Sequence, residues 1–316
     1  MIINPSASGV TARNRVVIQN AISAEHDLEV SETHRRGHAT RFAQGAAARG
    51  FDVVVSVGGD GTVNEVTNGL ACSPTFLGVL PGGSTNVFAR QLGFVNDPEA
   101  ATEQLLAGLR QGVHQRIGLG KVNGRYFCFH VGMGFDAAVV AYVERFGSLK
   151  RWLGHPLFAF SGIRTFARGF DRKRPALVVE IPSQGAAAAS GSGSTISTRI
   201  DGYFAVAMKL DPYSFVGPKP ISFAPAATIG APLSVVVLTS LGVVPVVRAL
   251  SIAVRGGDIT KVASVERFDG LERLTVRGHR PFPWQIDGDH LGDTDVLDFS
   301  YEHECLSVLL PTLVGP

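Results

Sequence analysis

The stretch Val53–Leu70 (VVVSVGGDGTVNEVTNGL) most constrains what this chain can fold into. Its first five residues are mostly β-branched and predict a buried strand. The strand ends at the GGDG motif of Gly58–Gly61, and Thr62 with Glu65 predicts a capping box that begins a helix. Glycines let backbone N–H groups approach an anion closely, and a helix N-terminus adds a positive dipole end. The stretch therefore predicts a strand–loop–helix unit that holds phosphate.

This loop differs from two familiar phosphate loops. It lacks the Gly-Lys-Ser/Thr ending of a P-loop, and its glycine spacing is not the dinucleotide-binding fingerprint. It also carries a carboxylate, Asp60, where the phosphates would lie. A carboxylate disfavours simple anion binding, but it is useful beside Mg²⁺ or a reacting hydroxyl. Asp60 is therefore a candidate for the chemistry of the site.

Strands and helices alternate from residue 1 to about residue 115, which predicts a parallel sheet with helices on both faces. In such sheets ligands bind beyond the carboxyl ends of the strands. Four loops rich in glycine or small hydroxyl residues follow predicted strands: Asn4–Gly9, Thr33–His38, Gly58–Thr62 and Gly82–Asn86. Because these loops are expected at one edge of the sheet, they predict a nucleotide phosphate site.

The pattern changes after about residue 115, where predicted strands follow one another with few helices. We therefore predict an α/β domain over residues 1–115 and a mostly antiparallel β-sandwich domain over residues 116–316, whose extreme C-terminus is free to pack back on the first domain. The apolar stretch Pro232–Val254 is interrupted by Gly242 and Pro245. It predicts a strand over 234–240 and a helix over 245–254, because each piece is too short to span a membrane.

Composition restricts the partners and the compartment. The formal net charge of the 316 residues is +2, which by itself says little about partners. No nucleic-acid partner is expected. Cys72, Cys128 and Cys305 lie far apart and form no zinc-binding spacing, which predicts buried, reduced thiols in a cytoplasmic protein. The N-terminus does not have the pattern of a signal peptide.

Two glycine turns in the second half carry carboxylates. Gly132–Ala137 places Asp136 after an apolar strand, and Asp287–Asp289 places two carboxylates around a glycine. Asp-Gly-Asp is also the composition of an ordinary turn, so the residues alone leave a structural role open for it.

Taken together, the motifs resemble the diacylglycerol kinase catalytic-domain family, which includes bacterial soluble lipid kinases and sphingosine kinases. The matching segments occur in the family's order: Asn4–Pro5, Thr33–Ala39, Gly58–Glu65, Pro81–Ala89, Gly132–Ala137 and Asp287–Asp289. The GGDG motif alone also occurs in NAD kinases, whereas the full set is much more specific. The resemblance implies an N-terminal α/β domain, a C-terminal β-sandwich, and ATP in the cleft between them.

The resemblance implies a role for each matching residue. Asp289 matches the proton acceptor of the bacterial members, Asp60 the base proposed in the sphingosine kinase branch, and Asp136 a position that binds the polar head of the lipid. Whether Asp60 or Asp289 takes the proton stays open. The positions implied for ATP binding are Asn4, Ser6, Ser8, Thr33, Gly58, Gly59, Asp60, Gly61, Thr62, Asn64 and Ser84.

The implied reaction transfers the γ-phosphate of ATP to the hydroxyl of diacylglycerol or a related long-chain lipid, with Mg²⁺ arriving on the ATP. The alternatives are an NAD kinase-like phosphotransferase and a nucleotide-binding regulatory protein with weakened catalysis. Two departures keep the last alternative open. The family's glutamate is the shorter Asp289 here, and the loop that holds a structural Mg²⁺ in bacterial members, Pro225–Pro232 here, has no carboxylate. No structural Mg²⁺ site is therefore expected.

A lipid kinase takes its substrate from a membrane surface. The segment Phe146–Arg174 mixes aromatic residues with a basic cluster, which predicts an amphipathic helix at an anionic membrane; a helix packed in the core is the alternative. We expect a cytoplasmic protein that associates peripherally with the inner face of the membrane and meets its lipid substrate there. A homodimer stays open, because a sheet edge could pair between two chains.

Overall fold

The computed structural model describes residues 1–134, 137, 174–183, 196–217 and 219–312. Asp136 and nearly all of the predicted amphipathic segment Phe146–Arg174 lie outside the described residues. The chain divides into two compact units. Unit 1 consists of Met1–Leu119, Tyr126–Cys128 and Glu302–Pro316, and unit 2 consists of Gly120–Arg125 and Phe129–Tyr301.

Unit 1 has the α/β architecture that the alternating pattern predicts. Its helices are α1 (Ala12–Ser23), α2 (His38–Ala48), α3 (Asp60–Leu70), α4 (Val87–Gln91) and α5 (Pro98–Gln111). The strands that begin in or next to it are β1 (Ile2–Ile3), β2 (Ser31–Glu32), β3 (Val53–Gly58), β4 (Phe76–Pro81), β5 (His114–Val122) and β6 (Arg125–Phe127). Strands β2, β1, β3 and β4 pair in that order and are parallel throughout.

The parallel sheet is the buried layer of unit 1. Val54, Val57, Leu77 and Leu80 are at most 2% exposed, as expected for strands that helices cover on both faces. Helices α2 and α3 pack so closely that a Cβ on Gly69 would lie 2.6 Å from the Cβ of Ala43. The sheet is thus held between apolar helix faces, and its loops emerge at the two edges.

Unit 2 is the antiparallel β-rich part that the second half of the sequence predicts. Its strands are β7 (His130–Gly134), β8 (Leu177–Pro182), β9 (Ile196–Gly202), β10 (Phe204–Met208), β11 (Ser214–Val216), β12 (Lys219–Ile221), β13 (Leu233–Leu238), β14 (Val265–Leu271), β15 (Arg273–Ile286) and most of β16 (Asp289–Leu309). The pairing order is β14-β13-β10-β7-β15-β16, with β8 on β15 and β9 on β8. All of these pairs are antiparallel.

The apolar stretch after residue 232 forms a strand and a helix, which confirms that prediction with slightly different bounds. The strand is β13, and the helix, α6, runs over Val243–Val254. A short 3₁₀ helix, Ile259–Lys261, follows it. Among the helices of the described residues, none is long and apolar enough to cross a membrane.

The prediction of three reduced cysteines is wrong for two of them. Cys72, just after α3, and Cys305, near the end of β16, form a disulfide across 233 residues of sequence. The last part of β16 lies beside β4 with Val308 in parallel register with Leu77, and this pairing brings the two cysteines together. Cys128 is a buried thiol that takes no part in this disulfide.

His130 at the start of β7 is a buried titratable group in the core of unit 2. Its side chain is 4% exposed, and its ring centroid lies 4.8 Å from that of Phe129 and 4.4 Å from that of Tyr213. Within the described residues its Nδ1 atom has no hydrogen-bond partner. Burial in these apolar surroundings lowers the pKa of His130 to about 3, so the ring is neutral in the folded protein at neutral pH.

This depressed pKa predicts a loss of stability in mild acid. The unfolded chain gains a proton at His130 below its ordinary value of 6.5, whereas the folded chain gains it only near 3. The stabilisation from a neutral His130 is therefore complete above pH 6.5 and is lost progressively as the pH falls towards 3. Between pH 7 and pH 5 the free energy of unfolding should fall by about 2 kcal/mol more in the wild type than in a His130→Leu variant. Urea unfolding at both pH values measures this, and equal falls in the two proteins would contradict it.

Candidate functional site

The predicted loops of unit 1 come together at the carboxyl edge of the parallel sheet. The N–H of Gly9 donates to the carbonyl of Gly82 at 2.7 Å, and the N–H of Gly82 donates to the carbonyl of Gly58 at 2.8 Å. The N–H of Asn4 donates to the carbonyl of Val57 at 2.9 Å. Three of the four loops are thus joined backbone to backbone, each just after its strand.

Glycine is required where these loops touch, because there is no space for a side chain. A Cβ on Gly82 would lie 2.6 Å from Cγ2 of Val10 and 2.9 Å from the Cα of Gly58. A Cβ on Gly83 would lie 2.7 Å from the Cα of Gly59, and one on Gly58 would lie 2.6 Å from Oγ1 of Thr62. The glycines that the sequence assigns to phosphate binding therefore also pack two loops against each other.

Asn4 and Thr62 connect the first loop to α3. Nδ2 of Asn4 donates to Oγ1 of Thr62 at 3.2 Å, and Oδ1 of Asn4 accepts the N–H of Ser6 at 3.0 Å. Thr62 is buried, whereas Ser6 and Ser8 are exposed. Asn4 thus acts as the bridge that holds the Ser6–Ser8 turn near the start of α3.

The carboxylate of Asp60 binds the start of the neighbouring helix α4. Its Oδ2 accepts the N–H of Val87 and its Oδ1 the N–H of Phe88, both at 3.1 Å. Burial raises the pKa of the Asp60 carboxyl above its ordinary value, and these two N–H donors oppose that rise. The negative charge that disfavours phosphate binding is therefore directed to helix α4 and partly compensated by its first N–H groups.

The start of α3 leaves N–H donors for a ligand. The N–H groups of Thr62 and Val63 both return to the carbonyl of Gly59, at 2.9 and 3.1 Å. In the described part of the chain no group accepts from the N–H of Asp60 or of Gly61, and the first N–H groups of a helix have no acceptor within it. These two donors, together with the exposed Ser6, Ser8 and Ser84, fit the oxygens of a nucleotide phosphate.

Besides Thr62, two further polar residues of the predicted site are buried within unit 1. Thr33 is 8% exposed, and its N–H continues the sheet by donating to the carbonyl of Ile3 at 2.8 Å. Asn64 is 2% exposed, and its Nδ2 donates to the carbonyl of Tyr126 at 3.1 Å. Asn68, one turn later, binds both the carbonyl and the N–H of Tyr126, so this face of α3 anchors β6.

The predicted capping box at Thr62 and Glu65 is wrong. Helix α3 begins at Asp60, and Gly59 is its N-cap without a side-chain capping bond. Glu65 instead caps the adjacent helix α2, since its carboxylate accepts the N–H groups of Gly37 at 2.8 Å and Ala39 at 3.0 Å. Glu65 therefore binds backbone groups that the fold brings next to it, and not the local partner that its spacing from Thr62 predicted.

The motifs missed the basic residues of the Thr33–His38 loop. Arg35 and Arg36 are exposed there, and Nε of Arg35 donates to Nε2 of His38 at 2.7 Å. Desolvation, followed by the charge of Arg35, lowers the pKa of His38. The dense HRRGH run directly after a predicted strand was the signal available for positive charge at this edge of the sheet.

In unit 2 the Asp-Gly-Asp motif is a two-residue hairpin turn with one buried and one half-buried carboxylate. Asp287 and Gly288 have φ values of +47° and +88°, and Ile286 pairs with Asp289 across the turn. Oδ1 of Asp287 accepts the N–H groups of Phe129 at 3.1 Å and His130 at 3.0 Å. Asp287 therefore fixes the turn, while Asp289 at the start of β16 is half-buried.

The loop that lacks carboxylates, Pro225–Pro232, is held by a lysine side chain. Lys209 is 1% exposed, and its Nζ donates to the carbonyls of Thr228 and Ile229 at 3.0 Å each. No group of three or more His, Cys, Asp or Glu side chains that could hold a metal ion occurs among the described residues. The residues here fit a buried ammonium group and do not fit a structural Mg²⁺. That no Mg²⁺ binds there stays a prediction.

The fold of unit 1 is an α/β unit in which glycine loops and the start of α3 meet at the carboxyl edge of a parallel sheet. Residues 1–122 match the family model described as the diacylglycerol kinase catalytic domain. This match confirms, for the first 122 residues, the family resemblance that the motifs indicate.

Similar curated proteins are named diacylglycerol kinases. The chain is 39% identical over 168 residues to one from Bacillus subtilis, which covers 52% of this chain and 54% of that protein. It is 36% identical over 150 residues to one from Staphylococcus aureus, which covers 47% of this chain and 44% of that protein. The chain thus spans about half the length of the curated relatives it matches.

Solved structures share the fold of nearly the whole chain. A diacylglycerol kinase from Bacillus anthracis has a TM-score of 0.69 at 19% identity, covering 99% of this chain and 97% of that one. An NAD kinase from Archaeoglobus fulgidus in complex with ATP has a TM-score of 0.50 at 10% identity, covering 98% and 92%. At these identities the similarity establishes the fold alone.

The capping role of Asp60 predicts the effect of replacing it. In Asp60→Asn the amide keeps one acceptor, and its NH₂ group faces the second backbone N–H, so the free energy of unfolding should fall by about 2 kcal/mol or more. Asp97→Asn is the matched control, because Asp97 caps α5 from an exposed position and Asn is as good an N-cap there. Urea unfolding compares the two variants. Equal losses would contradict a buried charge-assisted cap at Asp60.

The lysine-held loop predicts stability that does not depend on metal. Lys209→Met keeps the length of the side chain but leaves two carbonyls without a donor, so the free energy of unfolding should fall by about 2–4 kcal/mol. Lys219→Met, on the exposed strand β12, is the control and should change little. The melting temperature of the wild type should be the same with and without EDTA. A drop of several degrees with EDTA that Mg²⁺ restores would show a metal in the fold instead.

Proposed function

We propose that this protein is an ATP-dependent lipid kinase that transfers the γ-phosphate of ATP to the hydroxyl of diacylglycerol or a related long-chain lipid. One observation carries the proposal. The residues that match the diacylglycerol kinase catalytic domain include the loops whose backbones meet at one edge of the unit 1 sheet. The half-length matches to proteins named diacylglycerol kinase support the choice of acceptor.

In this proposal the loops of unit 1 hold the nucleotide. The N–H groups of Asp60 and Gly61 and the hydroxyls of Ser6, Ser8 and Ser84 bind phosphate oxygens. The nearby positive charges are Arg35 and Arg36. Mg²⁺ bound to ATP would neutralise charge on the phosphates during transfer. Thr33, Thr62 and Asn64 support these groups from buried positions rather than by contact with the phosphates.

In this proposal the carboxylate of Asp289, and not that of Asp60, is the proton acceptor. Both oxygens of Asp60 accept backbone N–H groups, so its role is to position α4 against the glycine loop. Asp289 is half-buried at the start of a strand, after a turn that Asp287 fixes. We propose that its carboxylate accepts the proton of the lipid hydroxyl. A positioned general base of this kind contributes about 10²–10⁴-fold to a rate.

The acceptor is tested by offering labelled ATP with Mg²⁺ to diacylglycerol, sphingosine-type lipids and NAD in parallel. Label in the diacylglycerol phase is the expected result. Label in NAD would favour the NAD kinase-like alternative, and ATP binding without transfer to any acceptor would favour a nucleotide-binding regulatory protein. Either of the last two results contradicts the proposal.

The assignment of Asp289 predicts a specific kinetic defect. Asp289→Asn should lower kcat by about 10²-fold or more, while the affinity for ATP and the melting temperature stay near wild type. Asp293→Asn is the control, because Asp293 is exposed on the same hairpin. An Asp289→Asn enzyme with wild-type kcat would remove Asp289 from the chemistry.

A further inference from the structure

Helix α6 carries an apolar stripe on its outer face. Val243, Val247, Leu250 and Val254 recur at positions i, i+4, i+7 and i+11, so they lie in one row along the helix. Their side chains are 58%, 61%, 51% and 39% exposed, in that order, and the neighbouring Val244 is 75% exposed. These are five of the nine most exposed large aliphatic side chains among the described residues, and all five lie on this one helix.

The stripe is not the face that holds α6 to unit 2. The opposite face of the helix packs on the core through Ala249, Ile252 and Ala253, which contact a cluster that includes Val206 and Val236. An ordinary surface helix would be polar on the face away from the core. Helix α6 is therefore apolar on two faces, and among the described residues only one of them packs against the core.

The polar residues of helix α6, and Arg255 just after it, are neutral or positive. Arg248 and Arg255 are exposed and seven residues apart, so they lie on one side of the stripe. A guanidinium nitrogen of Arg255 donates to Oγ of Ser251, four residues earlier, at 2.6 Å. Helix α6 contains no Asp or Glu. Asp258, the next acid in sequence, accepts from Arg267 at 2.8 Å.

We propose that this outer face of α6 docks on the surface of an anionic phospholipid bilayer. The valine and leucine side chains would enter the boundary between head groups and acyl chains, and Arg248 and Arg255 would bind lipid phosphates. A helix of this length cannot span a bilayer but can lie in its interface. This inference adds a membrane-docking surface to the proposed lipid kinase. The choice of a bilayer over another apolar partner rests on that proposed function.

A second copy of the chain fits this face less well. A helix of this length covers about 18 Å by 10 Å, roughly 180 Å², whereas a stable interface buries about 800 Å² on each partner. A two-fold contact through the same stripe would also bring the arginines of the two copies close to each other. A bilayer has neither restriction, because its anionic surface is continuous and complements the arginines.

The surface is tested by co-sedimentation of the full chain with vesicles of phosphatidylcholine, with and without phosphatidylglycerol. The double variant Val247→Ser, Leu250→Ser should lose about tenfold in partitioning to the anionic vesicles, because it removes apolar area that enters the interface. The double variant Arg248→Gln, Arg255→Gln should lose about tenfold and bind both vesicles equally. Val16→Ser with Val17→Ser is the control, since these valines are 56% and 39% exposed on α1.

Tryptophan fluorescence tests whether the contact with the vesicle is made by helix α6. The fluorescence of Val247→Trp should shift to the blue when anionic vesicles are added, and that of Val16→Trp should not. Wild-type binding by both α6 double variants would overturn the proposal. So would a wild-type dimer in light scattering that becomes a monomer in Val247→Ser, Leu250→Ser, because the stripe would then serve a second copy.

Kinase assays separate this inference from the proposed function. With a short-chain diacylglycerol dissolved in water, the α6 variants should phosphorylate the lipid as the wild type does. Transfer that is lost only for diacylglycerol in vesicles supports docking through α6. A wild type that binds vesicles through α6 but transfers no phosphate to any lipid would contradict the proposed kinase activity and leave the docking surface in place.

Discussion

The site of unit 1 depends on the contact between two glycine loops, one after β3 and one after β4. Gly58 and Gly82 pack backbone to backbone, and Gly59 and Gly83 do the same one residue further along. The parallel pairing of the two strands continues into the loops through the hydrogen bond from Gly82 to Gly58. The loops are therefore held by the sheet itself, and their remaining N–H groups have fixed positions before any ligand arrives.

Two carboxylates extend this order to the surrounding helices. Asp60, on α3, caps α4, and Glu65, five residues later on the same helix, caps α2. A single helix thus fixes the starts of two others, and both capped ends lie at the carboxyl edge of the sheet. This arrangement accounts for an acidic residue in the predicted phosphate loop, because the charge of Asp60 is directed to the backbone N–H donors of α4.

Much of the fold could be predicted because it is local. The β-branched run of β3 and the glycines that follow it predict strand, turn and helix from neighbouring residues alone. What failed depends on distant partners. Glu65 has the spacing of a capping box but binds α2, and Cys72 pairs with a cysteine 233 residues away. The long strand β16 went unpredicted because its first half is rich in Asp, which is depleted in strands. The candidate site residues were proposed from their motifs. Whether such a residue faces a ligand or the core, as Asn64 does, is set by packing that the spacing does not encode.

The central claim is that glycine packing at this edge builds the nucleotide site, and ATP binding to a Gly82→Ala variant tests it most directly. Isothermal titration with Mg-ATP should show at least a tenfold loss of affinity, because a Cβ would lie 2.9 Å from the backbone of Gly58 and separate the loops. Gly45→Ala, where nothing lies within 4 Å of the added Cβ, should bind ATP as the wild type does. A folded Gly82→Ala protein with unchanged affinity for ATP would contradict the account.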